Sequence, residues 1–323
     1  MNTLLQDVKF GLRMLAKNPG FTAVAVLTLA LGIGATTAIY SVVYEVLLRP
    51  LPFRDASALV VLNETTPKVG TVSVSYPNFL DWRQQSRAFA QMAAVHSVGF
   101  NLAGVSQPEA ISGDAVSPNF LSLVGVKPVL GRDFAASEEK AGTTPVVILS
   151  YALWQSHLAG DPNALGRTIT LDGRSFTIVG VLPSNYRSLD KTDLLEPIGV
   201  WATNNSGATG RDQRGDMIVM GRLAPGVTLR QARAEMQGIA ARLANAYPAA
   251  NAQFGVALQT LREAFVSDTR PAILVLFGAA IFVLLIACAN VANLFLVQGG
   301  RAPKKSPCAL PSAPAAAASS GKC

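Results

Sequence analysis

Gly32 and Gly34, in the segment LALGIGATTAIYSVV, have the spacing that opens a dinucleotide-binding loop. Such a loop needs a third glycine and a preceding strand, because its glycines let the backbone approach the phosphates. Thr37 stands where the third glycine is required, and the 24 residues of 21–44 carry no charge. As an α-helix they would be about 36 Å long, enough to cross a bilayer core about 30 Å thick. The sequence therefore predicts a membrane-spanning helix whose glycines allow another helix to pack closely.

The remaining residues that could do chemistry are few. No second histidine or cysteine lies three or four residues from His96 or His157, so both are interpreted as surface or core histidines. We expect the adjacent Glu138 and Glu139 to lie in a solvated turn. No nucleophile elbow, zinc-protease motif or P-loop occurs. The sequence predicts no catalytic, cofactor-binding or metal-binding residue, no cofactor, and no enzymatic activity of its own.

A second uncharged stretch covers the 27 residues of 271–297 and predicts another membrane-spanning helix. Within it, Asn290 and Asn293 share one helix face, and we interpret them as hydrogen-bonding partners for a neighbouring helix. Glu45 is predicted to lie at the hydrated outer end of the first span.

The charge distribution predicts how the chain crosses the membrane. The formal net charge is +7, and most of the basic excess lies in residues 1–20 and 301–323, beside the two apolar stretches. This is the positive-inside pattern of membrane proteins, and it differs from the basic face of a nucleic-acid-binding domain. We therefore expect both termini in the cytoplasm, residues 49–270 outside, the lipid bilayer as a partner, and no nucleic acid. The only cysteines, Cys288, Cys308 and Cys323, lie outside residues 49–270, so the external domain is expected to fold without disulfides.

Alternating strands and helices in residues 49–270 predict an α+β domain. Two β-α-β units are expected, one near each end of the domain. Their predicted elements are strand 58–62, helix 76–87 and strand 89–101 for the first unit, and strand 216–223, a helix within 225–248 and strand 254–261 for the second. The second helix has a capping box of Thr228 and Gln231, and its apolar face is predicted to comprise Leu229, Ala232, Met236, Ile239 and Leu243.

Three local features lie between these units. The stretch 167–183 alternates apolar and polar residues around Asp172-Gly173, which predicts a β-hairpin. Ser117 before Pro118 is expected to cap a short helix. The stretch 203–215, TNNSGATGRDQRG, has no large apolar residue and is interpreted as the most loop-like part of the domain.

Taken together, these segments resemble ABC transporter permeases of the MacB/FtsX-like family with a MacB-like periplasmic core domain, in particular the orphan permeases of acidobacteria. The matching segments follow the family's order and include KNPGFTAVAVLTLALGIGATTAIYSVV, SYPNFLDWRQQSRAFAQMAA, VSPNFLSLVGVKPVLGRDF, GRTITLDGRSFTIVGVLP, GRLAPGVTLRQARAEM and LLIACANVANLFL.

The resemblance implies a division of the chain. A cytoplasmic segment and two spans would flank a periplasmic domain, in which a β-rich, sabre-like part is inserted into a porter-like part. The expected bounds are 1–20 for the cytoplasmic segment, 21–48 and 271–297 for the spans, 49–270 for the periplasmic domain, 49–141 and 215–270 for the porter-like part, and 142–214 for the sabre-like part.

The resemblance also implies a function in the bacterial inner membrane. A partner ATPase would hydrolyse ATP in the cytoplasm, and the permease would transmit the motion to the periplasmic domain, for efflux or for mechanical signalling in the envelope. Expected partners are an ABC ATPase subunit, a second permease copy and periplasmic adaptor or envelope proteins. Two alternatives remain: a two-span envelope protein that binds periplasmic partners without transport, and a non-functional gene fragment.

The tail, residues 298–323, departs from the family. Family permeases continue after LLIACANVANLFL with a charged segment and further spans, whereas this chain continues GGRAPKKSPCALPSAPAAAASSGKC. Its Ala, Pro and Ser content predicts disorder. We interpret the chain as truncated after the second span, and the tail as a shifted reading frame of a longer permease gene.

Overall fold

The computed structural model describes residues 13, 19–44, 53, 55–103, 109–140, 142–186, 192–205, 207, 210–266 and 270–299. The chain divides into two units, which are described separately. Residues 1–48 and 270–323 form the helical unit, and residues 49–269 form the mixed domain. Glu45 and residues 300–323, including Cys308, Cys323 and most of the predicted tail, lie outside the described residues.

The described chain contains helices and strands in the alternating order that the sequence predicts. The helices are α1 (Pro19–Val43), α2 (Tyr76–Gln85), α3 (Phe120–Val124), α4 (Tyr151–Leu158), α5 (Ile198–Asn204), α6 (Leu229–Ala246), α7 (Pro248–Asn251), α8 (Leu261–Val266) and α9 (Arg270–Gly299). The strands are β1 (Leu59–Thr66), β2 (Gly70–Val72), β3 (Phe89–Ala103), β4 (Glu109–Val116), β5 (Leu130–Gly131), β6 (Val146–Leu149), β7 (Thr168–Leu171), β8 (Arg174–Val181), β9 (Leu194–Pro197), β10 (Ile218–Leu223) and β11 (Gly255–Thr260).

The helical unit consists of α1 packed against α9. Ile273, Ala280 and Ala287 are buried in α9 at a spacing of seven residues, which is the repeat of a helix-packing seam. Gly32 of α1 is buried against this seam: a Cβ atom at Gly32 would lie 3.3 Å from Leu284 Cδ1 and 3.4 Å from Ala287 Cβ. The close packing predicted for Gly32 is thus confirmed. A Cβ atom at Gly34 would meet nothing within 4 Å. Among the described residues, Gly34 therefore does not allow the close helix packing that was predicted for it.

The outward faces of α1 and α9 remain apolar and exposed. The exposed side chains include Leu27, Leu31, Ile33 and Tyr40 of α1, and Val275, Phe282, Leu285 and Ile286 of α9. Residues 22–43 and 271–293 are long and apolar enough to cross a bilayer. A pair of helices with a narrow buried seam and apolar outer faces suits a lipid environment better than water.

Two β-α-β units of the mixed domain share four neighbouring strands, and the strands of one unit alternate with those of the other. The sheet order begins β11-β1-β10-β3, and each neighbouring pair among these four is antiparallel. In the first unit, α2 connects β1 to β3, which are parallel to one another on either side of β10. In the second unit, α6 connects β10 to β11, on either side of β1. This is the split β-α-β arrangement, and both predicted units are confirmed.

The same sheet continues through the middle of the chain. Beyond β3 its order is β4-β9-β6-β8-β5, with β7 pairing both β3 and β8. Strand β9 is parallel to β4, and β6 is parallel to β8. Strands β6 to β9 from the predicted sabre-like part therefore share one sheet with strands of the porter-like part. The predicted boundary between the two parts stays a prediction.

The core covers both faces of this sheet. On one face, α2 and α6 bury Phe79, Trp82, Met236 and Ile239 against alternate strand residues such as Val60 and Leu62. On the other face, α3 packs against the intervening residues of β1, Leu59 and Val61. A third cluster, around Phe176 and Leu194, lies under α4.

Two local predictions are confirmed in detail. Thr228 caps α6, because its hydroxyl accepts the Gln231 N–H at 3.3 Å and the Gln231 side chain accepts the Thr228 N–H at 2.8 Å. In the hairpin, Asp172 and Gly173 connect β7 to β8 with φ angles of 48° and 76°. Both positive angles match the turn that Asp-Gly favours.

The expected cap at Ser117 is wrong. Helix α3 begins only at Phe120, and Asn119 precedes it without a side-chain cap. Ser117 is fully buried, and its hydroxyl accepts the Ala94 N–H of β3 at 2.9 Å. The hydroxyl satisfies a donor on a neighbouring strand, so it is not available to the helix.

Candidate functional site

Among the described residues, the side chains that the sequence singles out for possible chemistry form no hydrogen bonds or ion pairs with one another. His157 lies near the surface on α4, where its Nε2 is 2.9 Å from Glu109 Oε2 and its Nδ1 is 2.8 Å from Ser156 Oγ. Asn290 and Asn293 are exposed on α9 and, among the described residues, hydrogen-bond to no other helix. Within the described ranges, no group of three His, Cys, Asp or Glu side chains is placed to hold a metal ion.

Glu138 and Glu139 lie in a short 3₁₀ turn, as predicted, but their side chains are mostly buried rather than fully solvated. Glu138 forms a two-pronged contact with Arg132, which holds the pKa of its carboxyl below the usual value. Glu139 pairs with Arg83 of α2 at 3.1 Å. The two carboxyl side chains are only 14% and 19% exposed. The turn is therefore fastened by ion pairs, which the sequence does not reveal because Arg83 is distant along the chain.

The stretch 203–215 is also anchored, although it lacks large apolar residues. Arg214 Nε donates to Glu64 Oε2 at 2.5 Å, and its guanidinium lies over the Phe254 ring at 3.4 Å. Arg211 donates to Asp81 Oδ2 at 2.6 Å and lies over the Tyr247 ring at 3.8 Å. Two arginines thus fix the end of this loop through charge and stacking.

These arginines close a buried polar network. Glu64 is 1% exposed, Asn78 3% and Asn251 2%. Glu64 Oε1 accepts from Asn78 Nδ2 at 2.7 Å, and the amides of Asn78 and Asn251 bond to each other. The network joins β1, α2 and α7 to the loop. Every buried polar group in it has a partner, so it specifies the domain's packing.

An open cavity lies on the sheet face next to this loop. Its floor includes a row across three strands, because His96 of β3 pairs with Ala115 of β4, which pairs with Glu196 of β9. Paired residues on adjacent strands lie on one face, so His96 and Glu196 face the same side, about 10 Å apart at the usual strand spacing. The cavity has a volume of about 430 Å³ and is also lined by Phe100, Asp172, Arg174, Phe176, Trp201, Asn204 and Asn205.

Glu196 is the unusual group in this cavity. It is 3% exposed, and its carboxyl has no hydrogen-bond partner among the described residues. Burial raises its pKa to about 8; the positive charge of Arg174 opposes this shift, and the negative charge of Asp172 adds to it. A carboxyl group without a partner in a buried site favours its neutral form.

His96 forms one wall of the cavity as a neutral ring. Its ring contacts Trp201 of α5, with 4.1 Å between the ring centroids and 44° between the ring planes. Burial lowers the pKa of His96, against the opposing influence of Asp216 and Asp114. Its Nδ1 is buried and has no partner in the described part of the chain. His96 is therefore a partly buried histidine with one unpaired ring nitrogen among the described residues.

Sequence reasoning did not single out Glu196. One signal was present: it is the only charged residue of the segment LLEPIGV, where its neighbours are apolar. An acidic residue within an apolar strand is rarely buried without a reason. What the sequence could not show is that His96 and Asp172, both distant along the chain from Glu196, lie around the same cavity.

Three solved structures resemble the chain. A domain of a putative permease from Porphyromonas gingivalis is 16% identical, with a TM-score of 0.49, and the match covers 66% of this chain and 93% of that one. The periplasmic region of MacB from Actinobacillus actinomycetemcomitans is 13% identical, with a TM-score of 0.49, over 67% and 94%. The extracellular domain of the ABC-type transporter YknZ from Gram-positive bacteria is 12% identical, with a TM-score of 0.47, over 62% and 99%.

The family assignment comes from the sequence itself. A comparison with curated proteins finds no match. A family model described as the MacB-like periplasmic core domain matches residues 22–239, which is more than half of the chain. The match begins within α1, continues through the shared sheet and ends within α6. The chain therefore belongs to the MacB-like periplasmic core domain family of ABC transporter permeases.

Proposed function

We propose that the chain is a permease subunit that couples ATP hydrolysis by a cytoplasmic partner to motion of its periplasmic domain. The observation that carries this proposal is the extent of the family match, which includes both an apolar helix and most of the mixed domain. The proposed output is efflux or mechanical signalling in the envelope. In this arrangement both termini lie in the cytoplasm and residues 49–270 lie in the periplasm.

The way in which the mixed domain is built supports a mechanical role. Strand β1 is the first strand after α1, and β11 is the last strand before α9. These two strands pair over six registers, from Val60–Thr260 to Thr65–Gly255. The strands that come first after α1 and last before α9 are therefore neighbours in one sheet. A force on either helix would reach the same part of the domain, and the continuous sheet would carry it further.

The helical unit supports assembly with other membrane helices. Among the described residues of α1 and α9, a narrow seam is buried by their mutual contact, and most of the remaining surface is apolar. Lipid or the helices of a second permease copy would cover that surface. The division of the domain into a porter-like part, 49–141 with 215–270, and a sabre-like part, 142–214, is proposed on the family resemblance.

Affinity purification of the tagged full chain from solubilised membranes tests the proposed ATPase partner. We expect a P-loop ATPase to co-purify, to be identified by mass spectrometry, and to hydrolyse ATP in the isolated complex. Gly32→Leu, which disturbs the helix seam, should reduce its recovery, whereas Gly34→Leu should not. Recovery of a P-loop protein no greater than with an unrelated two-span protein would contradict the proposal and favour an envelope protein that only binds partners.

A further inference from the structure

The proposed mechanical role leaves the cavity beside Glu196 without a function. A buried carboxyl group normally has a hydrogen-bond partner, because an unmet polar group away from water costs free energy. Glu196 is 3% exposed and has no such partner among the described residues, and its carboxyl oxygens are not sealed from solvent but open to the cavity that the residue lines. The cavity volume of about 430 Å³ lies in the range of small-molecule sites.

We propose that this cavity binds a small organic cation, a protonated amine that carries an apolar group, with Glu196 as its counter-ion. The ammonium group would donate hydrogen bonds to the Glu196 carboxylate. The apolar group would lie among Phe100, Phe176 and Trp201, whose rings line the same cavity. Aromatic faces attract cations because their π electrons are negative, and desolvation strengthens this attraction.

The charges around Glu196 favour a cation over an anion. Asp172, at the hairpin turn, adds a second negative charge, and its Oδ1 already accepts from the Asn101 side chain and backbone. Arg174 supplies the one positive charge among the lining residues. His96 is neutral, because burial lowers its pKa. An anion in the cavity would lie near the carboxyl groups of Asp172 and Glu196. A cation would meet only one like charge among the lining residues, that of Arg174.

Calorimetry on the full chain in phosphatidylcholine nanodiscs tests the proposal. The probe is 2-phenylethylamine, and the matched ligands are 2-phenylethanol, which is neutral, and 3-phenylpropionate, which is an anion. We expect the amine to bind at least about tenfold more tightly than either of them. This factor corresponds to one charge-assisted hydrogen bond in a partly buried site.

Proton release gives a second readout. Glu196 is mostly protonated at pH 7, because burial raises its pKa to about 8. Binding of a cation to the carboxylate should therefore release close to one proton, measured from titrations in two buffers with different ionisation enthalpies. Between pH 6 and 7 the apparent affinity should rise about tenfold, because the ionised fraction of Glu196 rises by that factor. The other ionisable groups facing Glu196 are Asp172, Arg174 and His96.

Variants test whether Glu196 is the residue that binds the amine and releases the proton. Glu196→Gln keeps the shape of the cavity and should abolish both amine binding and proton release. Glu109→Gln, an exposed acid on the same sheet, is the matched control and should change neither. If Glu196→Gln does not fold, proton release and the pH dependence of amine binding in the parent chain decide the matter.

Three outcomes overturn the proposal. The first is equal binding of the amine and the alcohol, or binding of neither ligand. Binding of neither would mean that water alone fills the cavity. The second is unchanged amine binding by a folded Glu196→Gln variant. The third is amine binding by the parent chain at pH 7 without proton release. None of these outcomes bears on the ATPase partner, which is tested separately.

Discussion

Val60, the second residue of β1, is paired directly with Thr260, the last residue of β11. The two residues are 200 positions apart in the sequence, yet they stand where the chain enters and leaves the sheet. The first and last strands of the described chain are thus adjacent in one sheet, and in the proposed mechanical role they would receive a force from either helix together.

We expect the mixed domain to fold alone. A fragment of residues 50–268 contains all eleven strands and no cysteine. It should be soluble, show cooperative thermal unfolding, and melt at the same temperature with and without a reductant. An insoluble fragment, or a melting temperature that depends on the reductant, would contradict this expectation.

Arg214→Met should destabilise that fragment strongly. The change removes the charge facing Glu64, which is 1% exposed, but keeps an apolar side chain over Phe254. Breaking a buried ion pair by removing one partner costs about 3–5 kcal/mol. Urea denaturation measures the loss, and Arg230→Met, at an exposed position of α6, is the control. Adding Glu64→Gln to Arg214→Met should recover part of the lost stability; a variant as stable as the parent would show that the network is dispensable.

Arg214 also marks the limit of sequence reasoning. The Asp172-Gly173 turn and the Thr228–Gln231 capping box were predicted correctly, because each is decided by residues a few positions apart. The anchoring of 203–215 was missed, because Arg214 reaches Glu64 at a separation of 150 residues. Glu196 was missed for the same reason: β3 and the β7–β8 turn, which contribute His96 and Asp172 to its cavity, are distant from it along the chain. The cap at Ser117 was predicted wrongly, because its hydroxyl accepts a hydrogen bond from Ala94 of β3.

Glu196 should make the domain less stable as the pH rises. Its folded-state pKa is raised to about 8 from the ordinary 4.5. Between these values the unfolded chain has released the proton and the folded chain has kept it, so the free energy of unfolding falls from about pH 4.5 to about pH 8. Glu196→Gln should remove this contribution. Its stability relative to the parent should therefore be greater at pH 8 than at pH 5; a constant difference would contradict the assignment.

Gly32→Leu should weaken the contact between α1 and α9. A Cβ at this position already lies within 3.4 Å of Leu284 and Ala287, so a larger side chain would push the helices apart. Overpacking of this kind costs about 1–3 kcal/mol. The melting temperature of the full chain in detergent should fall by several degrees. Gly34→Leu faces open space and is the control; equal losses for the two variants would mean that the seam is misassigned.

The most direct test of the account is the topology of the chain. A reporter enzyme that is active only in the periplasm should be active when fused after Gly207, in the mixed domain, and inactive when fused after Cys323. This result would place the domain outside the membrane and both helices across it, as the permease role requires. An inactive fusion after Gly207 together with an active fusion after Cys323 would contradict the account.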